Sequence, residues 1–170
     1  MAYWKEPLVV NGTVIDLAHL EPFTFAIIPT DFTHSVNIHV KFHNHCFSES
    51  ITADTEQTVL QPPHGDSHQP RCFSQDRYEL SKHLAALIKG FERKTVTRSS
   101  DGNLVRIELP EGRNYAIFFT LRKTPDRQCE MTVISAFCPE NPKVIADSGS
   151  MKFKLAVCKI LRNQPLKMPR

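Results

Sequence analysis

None of the signatures Gly-x-Gly-x-x-Gly, Gly-x-x-x-x-Gly-Lys-Ser/Thr, His-Glu-x-x-His or Gly-x-Ser-x-Gly occurs in the 170 residues. Their absence argues against dinucleotide binding, NTP hydrolysis, zincin chemistry and an α/β-hydrolase. No apolar run approaches the ~20 residues that a membrane-spanning helix needs. The opening Met1-Ala2-Tyr3-Trp4-Lys5-Glu6-Pro7 has no apolar signal region. The five cysteines, Cys46, Cys72, Cys129, Cys138 and Cys158, are odd in number and contain no Cys-x-x-Cys pair. Together these features predict a reducing cytoplasm, free thiols and no membrane association. There the Asn11-Gly12-Thr13 sequon has no glycosylation role. No repeat or heptad pattern is present. The 11 phenylalanines, against 3 tyrosines and 1 tryptophan, fall mostly at core-like positions, so nothing resembles the exposed aromatic platform of an RRM.

What is present is an ordinary globular composition, 41% hydrophobic and 23% charged. A single α+β domain over residues 1–170 is the expected organisation. The formal charge of +3 conceals an asymmetry: residues 1–90 carry 6 basic against 10 acidic side chains, residues 91–170 carry 15 against 8. A basic half attracts phosphates, although solvated charges on a β-rich surface account for it equally well.

Apolar periodicity and turn chemistry give the elements. Leu8–Ile15 reads as a hairpin around Asn11-Gly12, which supplies two positive-φ residues. Phe23–Ile28 reads as a strand. Residues 48–71, with Pro62, Pro63, Gly65 and Pro70, read as a polar flap or a disordered insert. Ser74 is placed to cap a helix from about Gln75 to Lys89, with Leu80, Leu84, Leu87, Ile88 and Phe91 as its buried stripe. Stepping that stripe back puts Arg77 toward the sheet. Strands are expected over Leu104–Leu109, Tyr115–Lys123 and Cys129–Phe137, the last two as a meander hairpin. The alternation of Met151, Phe153, Leu155 and Val157 predicts a final strand over Met151–Ile160, with a helix as the alternative. The fold class that follows is α+β: a mostly antiparallel, strongly bent sheet, or two sheets, with one main helix packed across it.

The most informative segment is Val36–Cys46. Val36, Ile38, Val40 and Phe42 alternate with Asn37, His39, Lys41 and His43, the period of a half-buried strand. On a regular strand His43 and His45 stand roughly 7 Å apart on one side, a spacing suited to two proton-transfer groups flanking a phosphate or to a shared metal. As an acid–base pair, one imidazole takes the proton of a ribose 2′-hydroxyl, the other donates to the departing 5′-oxygen, and Lys41 stabilises the phosphorane. As a zinc site, His43 and His45 would be joined by Cys46, His64, His68 or Cys72, although Cys46 faces the other way on a regular strand. The third reading is a solvated row of surface histidines.

Arg77, Tyr78 and Lys82 cluster at the start of the predicted helix as candidate phosphate ligands, Arg offering a planar fork that Lys lacks. A structural Arg77, on a carboxylate or on backbone carbonyls, is the alternative. Ser135 interrupts an apolar face formed with Met131, Val133 and Phe137, either bonded within the core or presented at the sheet's open end.

Two resemblances rest on these residues. His45-Cys46-Phe47-Ser48, Arg77-Tyr78-Glu79-Leu80-Ser81, Asn114-Tyr115-Ala116-Ile117-Phe118-Phe119 and Val133-Ile134-Ser135-Ala136-Phe137 resemble a bacterial family of proteins found on mobile or accessory loci, across roughly residues 36–160. That likeness implies no established activity. More distantly, the helix followed by Tyr-x-x-x-Phe and a strand ending in Ser-Ala-Phe, over about residues 74–138, is similar to RelE and colicin-type endoribonuclease toxins, which implies metal-independent RNA cleavage on a basic, histidine-rich sheet face. The combined expectation is an endoribonuclease-like protein without cofactor or metal. His43 and His45, with Ser135 as auxiliary, are its catalytic candidates; Lys41, Arg77, Tyr78 and Lys82 are its substrate-binding candidates. RNA, and a protein partner or inhibitor, are the expected partners. A non-catalytic nucleic-acid- or protein-binding module and a zinc-stabilised module are the alternatives. The oligomeric state is not legible in the sequence.

Overall fold

In the computed structural model, which describes Trp4 and residues 6–51, 59–61, 64–65, 69–99, 102–141 and 149–166, the alternation of the histidine segment decides where the core lies. Strand β4 (Val36–Phe42) buries Val36, Ile38, Val40 and Phe42 and leaves Asn37 and His39 exposed. Strand β3 (Phe23–Ile27) pairs with it antiparallel, Phe25 opposite Ile38. On its other side β10 (Cys129–Phe137) runs parallel, from Cys129 opposite Ile38 to Val133 opposite Phe42. Strand β10 pairs antiparallel with β9 (Asn114–Lys123), β9 with β8 (Gly102–Glu108), β8 with β7 (Thr95–Ser99) and β7 with β11 (Ser150–Lys152). The seven strands lie in the order β11-β7-β8-β9-β10-β4-β3. Two small sheets accompany them, β1 (Leu8–Val10) with β2 (Thr13–Ile15), and β5 (Ser48–Ser50) with β6 (Arg71–Phe73). The fold is therefore α+β with a mostly antiparallel sheet. The β1–β2 turn has the expected chemistry, Asn11 at φ 49° and Gly12 at φ 78°.

The helices cover the face that carries Tyr115, Ile117, Phe119 and Leu121. Phe119 meets Phe91 at 5.7 Å and Phe153 at 6.2 Å between ring centres, and all three rings are buried. Such tilted clusters add to the gain from burying aromatic area. The predicted helix is in fact two, α1 (Gln75–Ser81) and α2 (Leu84–Lys89), because i→i−3 bonds from Lys82 and His83 tighten and end the first. Ser74 occupies the N-cap position, but its hydroxyl donates to Glu49 Oε2 at 3.0 Å instead of capping.

The strand expected over Met151–Ile160 is corrected. Only Ser150–Lys152 is extended, and Phe153–Leu161 forms helix α3. Alternation fitted Met151 to Val157, but Phe153, Ala156, Val157, Cys158 and Leu161 are the buried set, and Phe153, Ala156, Val157 and Leu161 in it form a helical stripe at i, i+3, i+4 and i+8. A further departure lies in β10, where the register against β9 shifts between Val133 and Ser135. This bulge moves the following residues to the opposite faces. Ala136 joins the main core, while Phe137 packs with Leu104, Ala116 and Phe118 on the sheet's other side. Ser135, opposite Phe118, therefore leaves the face it was expected to share with Met131 and Val133.

Much of the segment expected as a flap lies outside the described residues, namely 52–58, 62–63 and 66–68. Its two ends pair as β5 and β6, Val59 bridges to Cys72, and Leu60 and His64 are buried. Gly65 packs so closely that a Cβ there would stand 1.9 Å from the Leu60 carbonyl oxygen.

The turn Ala18–Leu20 docks on α1 through a polar staple. Tyr78 Oη donates to the Asp16 carbonyl at 3.0 Å, and Ser81 Oγ donates to the Tyr78 carbonyl at 2.7 Å. With that proton engaged, His19 Nε2–H donates to Ser81 Oγ across 2.7 Å. Burial pulls the His19 pKa below 6.5; the Asp16 and Glu79 carboxylates pull it up and the Lys82 ammonium down.

Two outcomes follow. Gly65→Ala should lower unfolding free energy by roughly 2–4 kcal/mol in urea titrations, since backbone must move to admit one methyl group. Because folding depresses the His19 pKa, its contribution is complete above pH 6.5 and is lost as pH falls through the lower folded value. The wild-type urea midpoint should therefore fall on acidification from neutral pH, and should fall less in His19→Gln.

Candidate functional site

Strand β4 ends at Phe42 because the next residues turn into a 3-10 helix, Asn44–Cys46, with His43 still extended before it. His43 N–H donates to the Val133 carbonyl at 2.9 Å, so the parallel seam continues one step beyond the strand. The turn rotates His45 toward His43. Their ring centres are 4.6 Å apart and the planes lie at 85°, closer than the spacing of a continued strand. His43 is exposed and His45 half-buried.

Two arginines clamp the turn. Arg71, 4% exposed, donates from Nε to Ser48 Oγ at 2.8 Å and from Nη2 to the Ser48 carbonyl at 2.7 Å. Arg77 Nη1 donates to the same carbonyl at 3.0 Å, to the His45 carbonyl at 3.2 Å and to Ser135 Oγ at 3.5 Å. Its guanidinium carbon stands 4.7 Å over the Phe137 ring. Arg77 thus points to the sheet as expected and works through backbone carbonyls. Burial lowers its pKa and the Glu49 carboxylate opposes that shift. The turn's interior is completed by Asn44, whose Nδ2 donates to the His64 carbonyl at 2.8 Å, and by Ser48 Oγ, which donates to the Asn44 carbonyl at 2.8 Å.

Beside Arg77 opens a cleft of about 260 Å³ whose walls include Glu49, Ser74, Asp76, Phe137 and Glu140. Neither His43 nor His45 lines it, so Arg77 meets the histidine pair through the His45 main chain and not across a shared cavity. Three carboxylates against one guanidinium make this cleft a poor seat for phosphate. The other candidate ligands are also engaged. Lys41 pairs with Glu130 at 3.0 Å, and Arg122 with the same carboxylate at 2.6 Å. Lys82 pairs with Glu79 at 2.7 Å and lies 4.6 Å over the Tyr78 ring. Tyr78 belongs to the His19 staple.

The further ligands that the zinc alternative needs beside His43 and His45 are, where described, engaged elsewhere. The Cys46 thiol, buried, donates to the Val133 carbonyl at 3.8 Å, and burial pushes its pKa up to about 12. The Cys72 thiol donates to the Glu49 carbonyl at 3.7 Å. His64 stacks on Trp4 at 5.8 Å, and His68 lies outside the described residues. Among the described residues no three His, Cys, Asp or Glu side chains are grouped to hold a metal ion. All five cysteines are unbridged.

Sequence reasoning missed Arg71 and Tyr115. Arg71 was one basic residue in a polar stretch, and its only signal was its position at the edge of Cys72-Phe73. Tyr115 is fully buried, its hydroxyl has no hydrogen-bond partner among the described residues, and burial drives its pKa upward. In sequence it is one aromatic in an apolar strand.

The clamp has a measurable consequence. Arg77→Ala should leave the Ser48 and His45 carbonyls short of a donor and destabilise the protein by roughly 2–3 kcal/mol in urea titrations. Arg77→Lys should recover only part of that, because an ammonium does not reproduce the planar stack on Phe137.

Among the described residues no helix is long and apolar enough to cross a membrane. No curated protein and no solved structure matches the chain. A family model does: it covers residues 7–161, from the first hairpin through α3, and therefore the histidine turn and both arginines. This agrees with the expectation of a bacterial family, while the toxin likeness remains a resemblance of residues alone; the chain belongs to the YjaZ family.

Proposed function

We propose that the histidine turn is a metal-independent acid–base site that cleaves RNA. The observation that carries the reading is the His43–His45 couple, perpendicular rings 4.6 Å apart at the end of an otherwise apolar-anchored strand. One imidazole in its neutral form takes the 2′-hydroxyl proton and the other, protonated, donates to the 5′-oxygen as that bond breaks. Further support comes from the clamp. Arg77 fixes the His45 main chain and so acts as a positioning residue, with Ser135 as its hydroxyl partner. Phosphate contact then falls to Lys41 and Arg122, which share only the one carboxylate of Glu130, and to His39, which hydrogen-bonds Thr24 at 2.8 Å. Tyr78 and Lys82 take no part in this version of the site.

A second reading, non-catalytic binding of RNA or of a protein partner, is favoured by one observation. Lys41 and Arg122 already share Glu130 as counter-ion, which leaves them less charge to stabilise a phosphorane than catalysis asks for.

Cleavage of a mixed panel of single-stranded and hairpin RNAs in EDTA separates the two. The acid–base reading predicts cleavage with a bell-shaped pH profile. His43→Ala or His45→Ala should lower it roughly 10²–10⁴-fold with the melting temperature little changed for the exposed His43. Salt-dependent binding without cleavage would select the second reading.

A further inference from the structure

The seven-stranded sheet has two edges of different character. Strand β11 is three residues long and carries Lys152, whereas β3 reads Phe23-Thr24-Phe25-Ala26-Ile27 without a charge. Pro22 and Pro29 bound it, and Ile28 beside Pro29 is 47% exposed. Charged side chains and bulges are what ordinarily protect such an edge.

Hydrogen bonding fixes which backbone groups β3 presents. In β4, Asn37 N–H donates to Gln128 Oε1 at 2.6 Å, and His43 N–H, in register beyond the strand, donates to Val133, so the odd-numbered residues face β10. Val36, Ile38 and Val40 then face β3 and bond to Ile27, Phe25 and Phe23, their register partners. Thr24 and Ala26 are left with N–H and C=O directed outward from the sheet. Their register partners His39 and Asn37 are of the non-hydrogen-bonded kind, where side chains approach closely. The Thr24 Oγ1 to His39 Nδ1 contact of 2.8 Å fits this assignment. Among the described residues no backbone group reaches Thr24 or Ala26 from outside.

We propose that the β3 edge is an interaction surface for a second copy of this chain. A two-fold axis through Phe25 sets Thr24 opposite Ala26 of the second copy and Ala26 opposite its Thr24. Each of these is a hydrogen-bonded pair that exchanges both bonds, so four hydrogen bonds form. The self-complementarity comes from the placement of the two outward residues on either side of Phe25 and asks nothing of a foreign sequence. Phe25 meets its own copy in a close non-hydrogen-bonded pair, and Phe23 meets Ile27. Both phenylalanines are half-buried, with apolar area left to cover. Charge is compatible as well. The strand contributes none, and the two Lys89 ammoniums, each 5.3 Å over a Phe23 ring, fall at opposite ends of the pair, about 13 Å apart at strand spacing. The prolines stop the pairing at both ends, and because the two-fold contact uses the β3 edge of both copies the assembly closes as a dimer with one continuous sheet.

The test is sedimentation equilibrium on the full chain across concentration, with amide hydrogen exchange on the same samples. A dimer is expected whose Thr24 and Ala26 amides slow as concentration rises. Ala26→Pro removes two of the four bonds and no bond to β4, and should weaken the dimer at least tenfold. Should Ala26→Pro fail to fold, Thr24→Pro and the wild-type exchange data serve instead. A chain that stays monomeric up to about 1 mM, or a dimer whose Thr24 and Ala26 amides remain fast, overturns the proposal.

Discussion

The parallel seam between β4 and β10 is the constraint on which the rest depends. Every other pairing in the large sheet is antiparallel. The β3–β4 pair and the β7–β10 meander each form from neighbouring sequence, and only the register that sets Ile38 against Cys129 unites them. Joining residues so distant in sequence carries a large loop-closure entropy, offset here by the continuous burial of Val40, Phe42, Met131 and Val133. Where the seam runs out, at Val133, the bulge turns Ser135 and Phe137 to the far face. The vacated edge is taken by the turn carrying His43 and His45.

That turn holds its shape through cations placed on carbonyls. Two guanidiniums converge on the Ser48 oxygen, and Glu49, bonded by Ser74, supplies the opposite charge. Leaving a buried guanidinium without acceptors would be far more unfavourable than the bonds themselves are favourable, so both arginines fix the chain's path more than they add to stability. The same logic governs the charge asymmetry. Arg113 pairs with Asp76 and Arg162 with Asp31, each joining a cation of the basic half to a carboxylate of the acidic one. An excess that reads in sequence as an anion-seeking face is partly an internal attraction between halves.

What was legible in the sequence was local. The hairpin at Asn11-Gly12, the alternation of β4, the start of α1 and the inward direction of Arg77 each follow from residues within one or two turns of one another. The misses came from tertiary context. Period-two alternation from Met151 to Val157 outweighed Ala156 and Leu161, which complete a helical stripe only once α3 has the Phe91–Phe119 surface to cover. The bulge at Ile134 and the three-residue β5 and β6 have no composition signal. The spacing of His43 and His45 was drawn for a strand continuing through His45, whereas β4 ends three residues earlier, at Phe42. Arg71 looks ordinary in sequence because its role depends on Ser48, 23 residues away, and Tyr115 because its burial is set by the assembled core.

The parallel register of the seam admits a direct measurement, inter-strand nuclear Overhauser contacts in the isotope-labelled protein. Close proton contacts should link Ile38 with Cys129, Val40 with Met131 and Phe42 with Val133, rising together along both strands, with the His43 amide protected from exchange. Contacts that run in opposite order, or a His43 amide that exchanges as fast as an unstructured one, would contradict the account.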